Sequence, residues 1–262
     1  MKIVVSVKLV PDTNADKRID PGTKRLVRTG VENVLNPFDE YAIEAALQLR
    51  EKRNDGSTVT IFTMAPESGK EIVRKALAMG ADDAVMLSDA KLEGSDVAGT
   101  AHAMSAALKK TGFDLILCGT QSTDATTGEV PGFLAELLGV PGLTYIRKIE
   151  SDGTTINAQR ETDTGYIDVS VSTPALISVT KAINEPRYPS LKGIMGAKKK
   201  EIKILSLPDV EFARAAGTDG AKTEVLELAT PPTRQKGRVV TAADGAEGAS
   251  AIFDFLKEKK LL

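Results

Sequence analysis

Short apolar segments rich in β-branched residues alternate with segments of helical periodicity through the first two-thirds of the chain. Lys2 to Lys8 reads KIVVSVK and Phe113 to Cys118 reads FDLILC, and both are almost continuously apolar. A strand that is apolar on both faces is typical of a parallel sheet with helices packed on each side. The alternation therefore predicts an α/β fold with a mostly parallel sheet, and it restricts the possible architectures more than any other feature.

Helix start and stop signals occupy the segments between the predicted strands. Asn36 is expected to cap a helix that has Pro37 in its first turn and Asp39 near its positive dipole end. Ser95 is expected to cap a later helix. These signals predict helices on both faces of the sheet, over residues 36–51, 67–79, 95–110 and 128–138, and further strands over 57–63 and 84–87.

From Leu143 the apolar period changes to two, which predicts an antiparallel region added to the sheet. Its strands are expected over residues 145–150, 154–161 and 166–172, followed by a buried strand over 175–180.

Beyond Lys203 the apolar pattern weakens, and it returns only in a short amphipathic stretch from Ala249 to Lys259. The chain is therefore divided into an α/β domain, residues 1–203, and an extended C-terminal arm, residues 204–262. Composition alone fits a flexible tail as well as an arm packed on another chain. The terminal amphipathic helix favours the arm.

Composition excludes several classes of protein. Lys+Arg number 34 against 36 Asp+Glu, and a net charge of -2 gives no global attraction to nucleic acid. One cysteine excludes an intrachain disulfide framework, and with a single histidine it makes a zinc site improbable. No apolar run approaches the roughly 20 residues that a membrane helix needs, and Met1 leads directly into a strand, without a secretory signal. A cytoplasmic protein without membrane insertion is expected.

The strongest site signal is the segment Gly119 to Gly128, GTQSTDATTG, between a buried strand and a helix. In open α/β sheets, ligands bind at the carboxyl edge, where helix amino termini offer free N–H groups. Its hydroxyls and the carboxylate of Asp124 suit a ligand that carries phosphate and hydroxyl groups. Ordinary capping of a strand-to-helix loop accounts for the same residues equally well. The chain contains neither GxGxxG nor GxxxxGK[ST].

Other predicted strand ends meet this loop at the same edge of the sheet. They place Ser6, Met64 and the helix start Asn36 to Asp39 beside it. Convergence of several strand ends on one cleft favours a nucleotide-binding sheet more than any single segment does.

Catalytic groups are scarce. His102 lies in an alanine-rich stretch and is interpreted as a surface or half-buried helix residue, and Cys118 as a buried, inert thiol. The chain therefore reads as a binding or carrier module without catalytic residues of its own, whose redox chemistry would come from a bound cofactor.

Asn184 to Lys200, NEPRYPSLKGIMGAKKK, has two prolines and a basic end. Proline removes a backbone donor and favours extended backbone at the residue before it. The segment is expected to form a loop that presents Leu191 among lysines. From the residues alone, it is either a solvated connector or a partner-recognition loop.

Over essentially its whole length the chain resembles the beta subunit of electron transfer flavoproteins. Four motifs carry the resemblance: VKLVPD, NPFDEYAIEAAL, DLILCGTQSTD followed by TTG, and NEPRYPSLKGIMGAKKK. The resemblance implies a heterodimer with an alpha subunit, a redox-active FAD held mainly by alpha, and a structural AMP in beta. It also implies that electrons from acyl-CoA dehydrogenases of fatty acid β-oxidation, and from similar flavoenzymes, pass through FAD to a membrane quinone oxidoreductase.

The resemblance also assigns residues. It implies that Leu191 docks into the dehydrogenases together with Tyr188, Pro189, Ile194 and Met195, and that Glu161 helps to control a mobile flavin domain. The implied AMP contacts are Ser6, Asn36, Pro37, Phe38, Asp39, Met64, Gly119, Gln121, Ser122, Thr123, Asp124, Ala125, Thr126, Thr127 and Gly128.

Two alternatives stay open at this point. One is a bifurcating carrier of the same family, in which a second FAD takes the place of AMP. The other is a stand-alone nucleotide-binding stress or signalling protein with the same α/β architecture.

Overall fold

The described part of the chain forms one sheet of nine strands, in the order β11-β10-β9-β12-β8-β1-β6-β7-β13. The structure is a computed structural model, and it describes residues 1–15, 17–229, 232 and 236–262. The strands are β1 Lys2–Ser6, β6 Thr58–Met64, β7 Asp83–Leu87, β8 Leu115–Gly119, β9 Gly142–Ser151, β10 Thr155–Thr162, β11 Gly165–Ser172, β12 Ala175–Val179 and β13 Ile202–Leu205.

The pairing confirms the predicted mixture of parallel and antiparallel strands. All strands from β9 across to β13 pair in parallel, whereas β10 and β11 are antiparallel at the other edge. Two short two-stranded sheets lie outside it and were not predicted: β2 Leu9–Pro11 with β5 Asn33–Leu35, and β3 Ile19–Asp20 with β4 Arg25–Leu26.

Helices cover both faces of the sheet, as predicted, because the strands are apolar on both sides. One buried cluster joins the sheet to the first two helices, and a second cluster joins the other face to the next two. The helices are α1 Pro37–Arg53, α2 Lys70–Ala78, α3 Val97–Thr111, α4 Val130–Leu138, α5 Leu191–Ala197, α6 Gly217–Gly220 and α7 Gly245–Glu258.

Of the two expected helix caps, one is at a different residue, and the other is at the predicted position but makes no capping bond. The cap of α3 is Asp96, whose carboxylate accepts from the Gly99 N–H at 2.7 Å, rather than Ser95. Asn36 stands at the cap position of α1, but its side chain makes no capping bond and turns to the loop after β8.

The chain divides into two units, Met1–Val225 and Leu226–Leu262. The second unit contains α7, whose Asp244 side chain caps the helix by accepting from the Glu247 N–H at 2.9 Å. Ile252 and Phe253 on this helix are 63% and 54% exposed. Within the predicted arm, Pro231 and four nearby residues lie outside the described residues.

Candidate functional site

Asn36 joins the start of α1 to the loop that follows β8. Its side-chain amide donates to the Gln121 carbonyl and to Asp39 Oδ1, both at 2.9 Å, and its oxygen accepts from the Thr123 N–H at 3.2 Å. Asn36 is 1% exposed. A buried amide with three partners fixes the loop against the helix start, so these two predicted segments do meet at the carboxyl edge.

Asp39 is the buried carboxylate of this edge. Its Oδ2 accepts from the Lys8 N–H at 2.7 Å, and the residue is 5% exposed. Burial raises the pKa of Asp39 to about 7, against smaller opposing effects of the bonds from Lys8 and Asn36. The group therefore changes charge near neutral pH.

Gly119 ends β8 in direct contact with α1. A Cβ at this position would lie 2.5 Å from Asp39 Oδ1 and 2.7 Å from the Phe38 carbonyl carbon. Only glycine allows the strand end and the first turn of α1 to approach so closely.

Asp124 anchors the middle of the loop between two cations. Lys8 Nζ lies 2.8 Å from its Oδ1 and 3.2 Å from Ser122 Oγ, and Arg28 pairs with its Oδ2. The Asp124 side chain is 1% exposed. Burial opposes its ionisation, but the charge and hydrogen bond of Lys8 and the bonds from Ser122 and Arg28 outweigh it, so the pKa of Asp124 is well below the usual value.

The same loop holds a side-chain hydroxyl that is unsatisfied within the described residues. Thr123 Oγ1 is buried, and within the described residues no group lies at hydrogen-bonding distance from it. Lys17 Nζ donates to the Thr123 carbonyl at 3.0 Å, which brings a third cation to this segment. Thr126 and Gly128 have positive φ angles of 55° and 66°, so the backbone enters the left-handed region twice before α4.

The other predicted contact residues stand at strand ends, at the start of α1 and on the loop, and we call the space outside the carboxyl ends of β1, β6 and β8 the crevice. Ser6 is the last residue of β1, and its register partners are Phe62 and Cys118. Met64 ends β6 and packs against the cluster on the α3 side. Pro37 begins α1, and Ala125 and Thr127 are exposed on the loop.

Three cations at the crevice, Lys8, Lys17 and Arg28, were missed by the sequence reasoning. Lys8 had a usable signal, since it lies two residues beyond Ser6, where β1 ends at this edge. Lys17 and Arg28 lie in the irregular segment between β2 and β5, where no spacing points to a site.

His102 and Cys118 occupy the positions expected of structural residues. His102 is half-buried on α3, and burial lowers its pKa, with a smaller contribution from Arg214. Cys118 is buried in β8, and burial raises the pKa of its thiol, with a smaller contribution from Asp39. A buried neutral thiol is inert.

The segment 184–200 is not the free loop that was expected. Leu191–Ala197 forms α5, capped by Ser190 Oγ, which accepts from the Gly193 N–H at 3.0 Å. The helix packs on α2 so closely that a Cβ on Gly193 would lie 2.4 Å from the Ala78 carbonyl oxygen.

An apolar surface nevertheless faces outward there. We call Tyr188, Leu191, Ile194 and Met195 the apolar docking patch, after the role proposed for them below; their exposed fractions are 95%, 82%, 45% and 71%. Pro189 is half-buried between Tyr188 and α5. Lys192, Lys198 and Lys199 are exposed within or just after the same helix.

Glu161 lies elsewhere, near the end of β10, where it is exposed and pairs with Tyr166 of β11. In the strand order, β9 and β12 separate β10 from β8, whose end carries the loop.

No helix among the described residues is both long and apolar enough to cross a bilayer. In the same residues, histidine, cysteine and carboxylate side chains nowhere gather in a group of three that could hold a metal ion.

The sheet and its crevice define an open α/β protein with a polar, cation-rich site at the carboxyl edge of parallel strands. Residues 23–210 match the family described as electron transfer flavoprotein domain. The electron transfer flavoprotein subunit beta of Megasphaera elsdenii is 42% identical, over 99% of this chain and 97% of its own. The chain therefore belongs to the electron transfer flavoprotein family, among its beta subunits.

Two further relatives cover the same length. The electron transfer flavoprotein subunit beta of Mycobacterium bovis is 42% identical over 99% of both chains. The caffeyl-CoA reductase-Etf complex subunit CarD of Acetobacterium woodii is 36% identical over the whole of both chains.

Proposed function

We propose that this chain pairs with an alpha subunit and acts as the structural and docking half of an electron carrier. The alpha subunit holds most of a FAD, which supplies the redox chemistry of the complex. Electrons arrive from acyl-CoA and related dehydrogenases and leave toward a membrane quinone oxidoreductase. Full-length similarity to named beta subunits is the observation that carries this proposal, and it favours a subunit over a stand-alone signalling protein.

The crevice suits AMP as a structural ligand. Lys8, Lys17 and Arg28 surround a loop whose own carboxylate, Asp124, balances only part of their charge. A phosphate is compatible with this excess of positive charge, and the loop backbone offers hydrogen bonds to it. Ser6, Met64 and the first turn of α1 would bound the rest of the ligand.

Release of the bound molecules tests the ligand directly. Heat denaturation of the purified heterodimer, followed by chromatography, is expected to yield one FAD and one AMP per complex. Two FAD and no AMP would replace AMP by a second flavin, as in a bifurcating carrier. Recovery of FAD without a second adenylate-containing molecule would contradict a ligand in this crevice.

The apolar docking patch supports the role in partner recognition. An isolated exposed leucine is common on protein surfaces, but four neighbouring apolar side chains on one short helix and its approach are not. Burial of one leucine side chain in a partner pocket contributes roughly 1.5–3 kcal/mol.

Leu191→Ala is therefore expected to raise the KM of an acyl-CoA dehydrogenase for the carrier by about tenfold or more. FAD and AMP content should stay at the wild-type level, because the patch lies on α5 and not at the crevice. Ile204→Ala, which truncates an apolar side chain that is 36% exposed on β13, is the matched control and should leave the KM unchanged. An unchanged KM for Leu191→Ala would refute docking through this patch.

A further inference from the structure

Arg187 joins the segment before α5 to helix α1 through two carboxylates. Its Nε and Nη2 donate to the two oxygens of Glu44 at 2.7 and 3.0 Å. Its Nη1 and Nη2 donate to the two oxygens of Glu51 at 2.6 and 3.0 Å. The backbone N–H of Arg187 also donates to Glu44, at 3.3 Å. One guanidinium thus holds two carboxylates in bidentate geometry, which fixes its plane and its backbone.

Without Arg187, the buried carboxylate of Glu44 would lower the stability of the fold, because its charge would have no cation to pair with. It is 4% exposed, and its other described partner is the Gln48 side-chain amide, at 2.9 Å. Burial raises the pKa of Glu44, but the hydrogen bonds and charge of Arg187, with the bond from Gln48, outweigh it and leave that pKa below the usual value. A buried carboxylate that depends on one cation favours a single arrangement of the chain that carries the cation.

Neighbouring contacts hold the same stretch to the same helix. The Asn184 side-chain amide donates to the Tyr41 carbonyl at 3.0 Å, one turn before Glu44 along α1. Beyond Arg187, Arg74 of α2 donates to the Lys200 carbonyl at 2.7 Å and to the Ala197 carbonyl, where α5 ends. The docking patch therefore lies between an attachment to α1 and an attachment to α2.

We propose that Arg187 is the positioning residue of this docking patch. It precedes Tyr188 directly and Leu191 by four residues, so its double ion pair sets where both side chains stand before a partner arrives. Its own side chain is 35% exposed and covered by Glu44 and Glu51, so it acts through its neighbours rather than by touching the partner. This inference rests on the proposed docking function.

Arg187→Lys in the purified heterodimer tests the inference. Lysine keeps the charge but cannot hold two carboxylates in bidentate geometry. The KM of an acyl-CoA dehydrogenase for the carrier is expected to rise about fivefold to tenfold, with kcat within twofold of wild type. FAD content and the rate of flavin reduction by dithionite, which needs no docking, should be unchanged.

Arg53→Lys is the matched control. Arg53 is the last residue of α1, and like Arg187 it pairs with a carboxylate, that of Asp55. Its other hydrogen bond goes to Ser57 and not to the docking patch or the residues before it. This variant should leave the KM at the wild-type value. Glu44→Gln should raise the KM as Arg187→Lys does, and the double variant should raise it little further, because both remove one interaction.

The outcomes separate the inference from the function on which it rests. If Leu191→Ala raises the KM and Arg187→Lys does not, docking stands and the positioning role of Arg187 is refuted. If neither variant changes the KM, the docking function itself fails. A fall in FAD content or in dithionite reduction with Arg187→Lys would indicate a general loss of structure and would also refute the inference. If Arg187→Lys does not fold, Glu51→Gln, at the exposed carboxylate, decides by the same measurements.

Discussion

Asp39 shows how strongly one residue at the carboxyl edge depends on its surroundings. The ordinary pKa of an aspartate is 3.8, and burial raises that of Asp39 to about 7. Between these two values the folded protein binds a proton at Asp39 that the unfolded chain has released. The free energy of unfolding therefore falls as the pH rises from about 4 to 7, as far as this group is concerned.

Asp39→Asn is expected to reduce this loss of stability, since asparagine carries no titrating proton. The measurement is the thermal midpoint of the purified complex at several values between pH 4.5 and 7.5, for wild type and variant. Burial also raises the pKa of Glu40, so the difference between the two proteins is informative, and the slope of the wild type alone is not. Parallel curves for both proteins would contradict a raised pKa at Asp39.

At the scale of elements, α5 depends on one glycine and tolerates change at another. A Cβ on Gly193 would lie 2.4 Å from the Ala78 carbonyl oxygen of α2, whereas a Cβ on Gly196 would find nothing within 4 Å. Gly193→Ala should therefore lower the stability by about 1–3 kcal/mol, as overpacking does. It should also displace the docking patch and raise the dehydrogenase KM.

Gly196→Ala is the control in the same helix. Alanine is favoured over glycine in a helix interior by up to about 1 kcal/mol, so this variant should keep or raise the thermal midpoint. Equal effects of the two substitutions in thermal unfolding would mean that the close contact between α5 and α2 is absent in solution.

The same helix shows why local sequence did not predict every element. A loop is favoured by Pro186 and Pro189, which precede the stretch LKGIMGA. The two glycines inside that stretch lower its intrinsic helix propensity. Packing decides the outcome: Ala197 is 2% exposed against the core, and Gly193 permits contact with α2. The Ser190 cap was present in the sequence, but a single cap signal is weak without knowledge of the neighbouring helix.

At the scale of the whole molecule, the features that could be predicted are those that the residues of a single strand determine. The strands LILCG and ALISV are buried on both faces, and their almost continuously apolar sequences predict a parallel sheet covered by helices. The meeting of Asn36 with the loop after β8 also follows from the general rule for strand ends. Arg28 and Lys17 could not be found in this way, because only tertiary contacts bring their irregular segment to Asp124 and Thr123.

The order of the strands in the sheet could not be predicted from local sequence patterns either. Sequence neighbours β9, β10 and β11 pair in a row, but β12 returns to lie between β9 and β8, and β13 adds to β7 at the far edge. Such placements depend on which edges remain free after other strands have paired.

The position of β12 has a consequence for synthesis. The meander β9–β11 joins the sheet only through β12, a strand that the ribosome makes after all three of them. Until Ala175–Val179 has emerged from the ribosome, the backbone groups of β8 and β9 that later pair with β12 have no partner strand. A nascent chain arrested in that interval would expose the edges of β8 and β9 that β12 later covers, as well as the edge of β7 that β13 later covers, and such open edges are where chaperone protection is expected to matter.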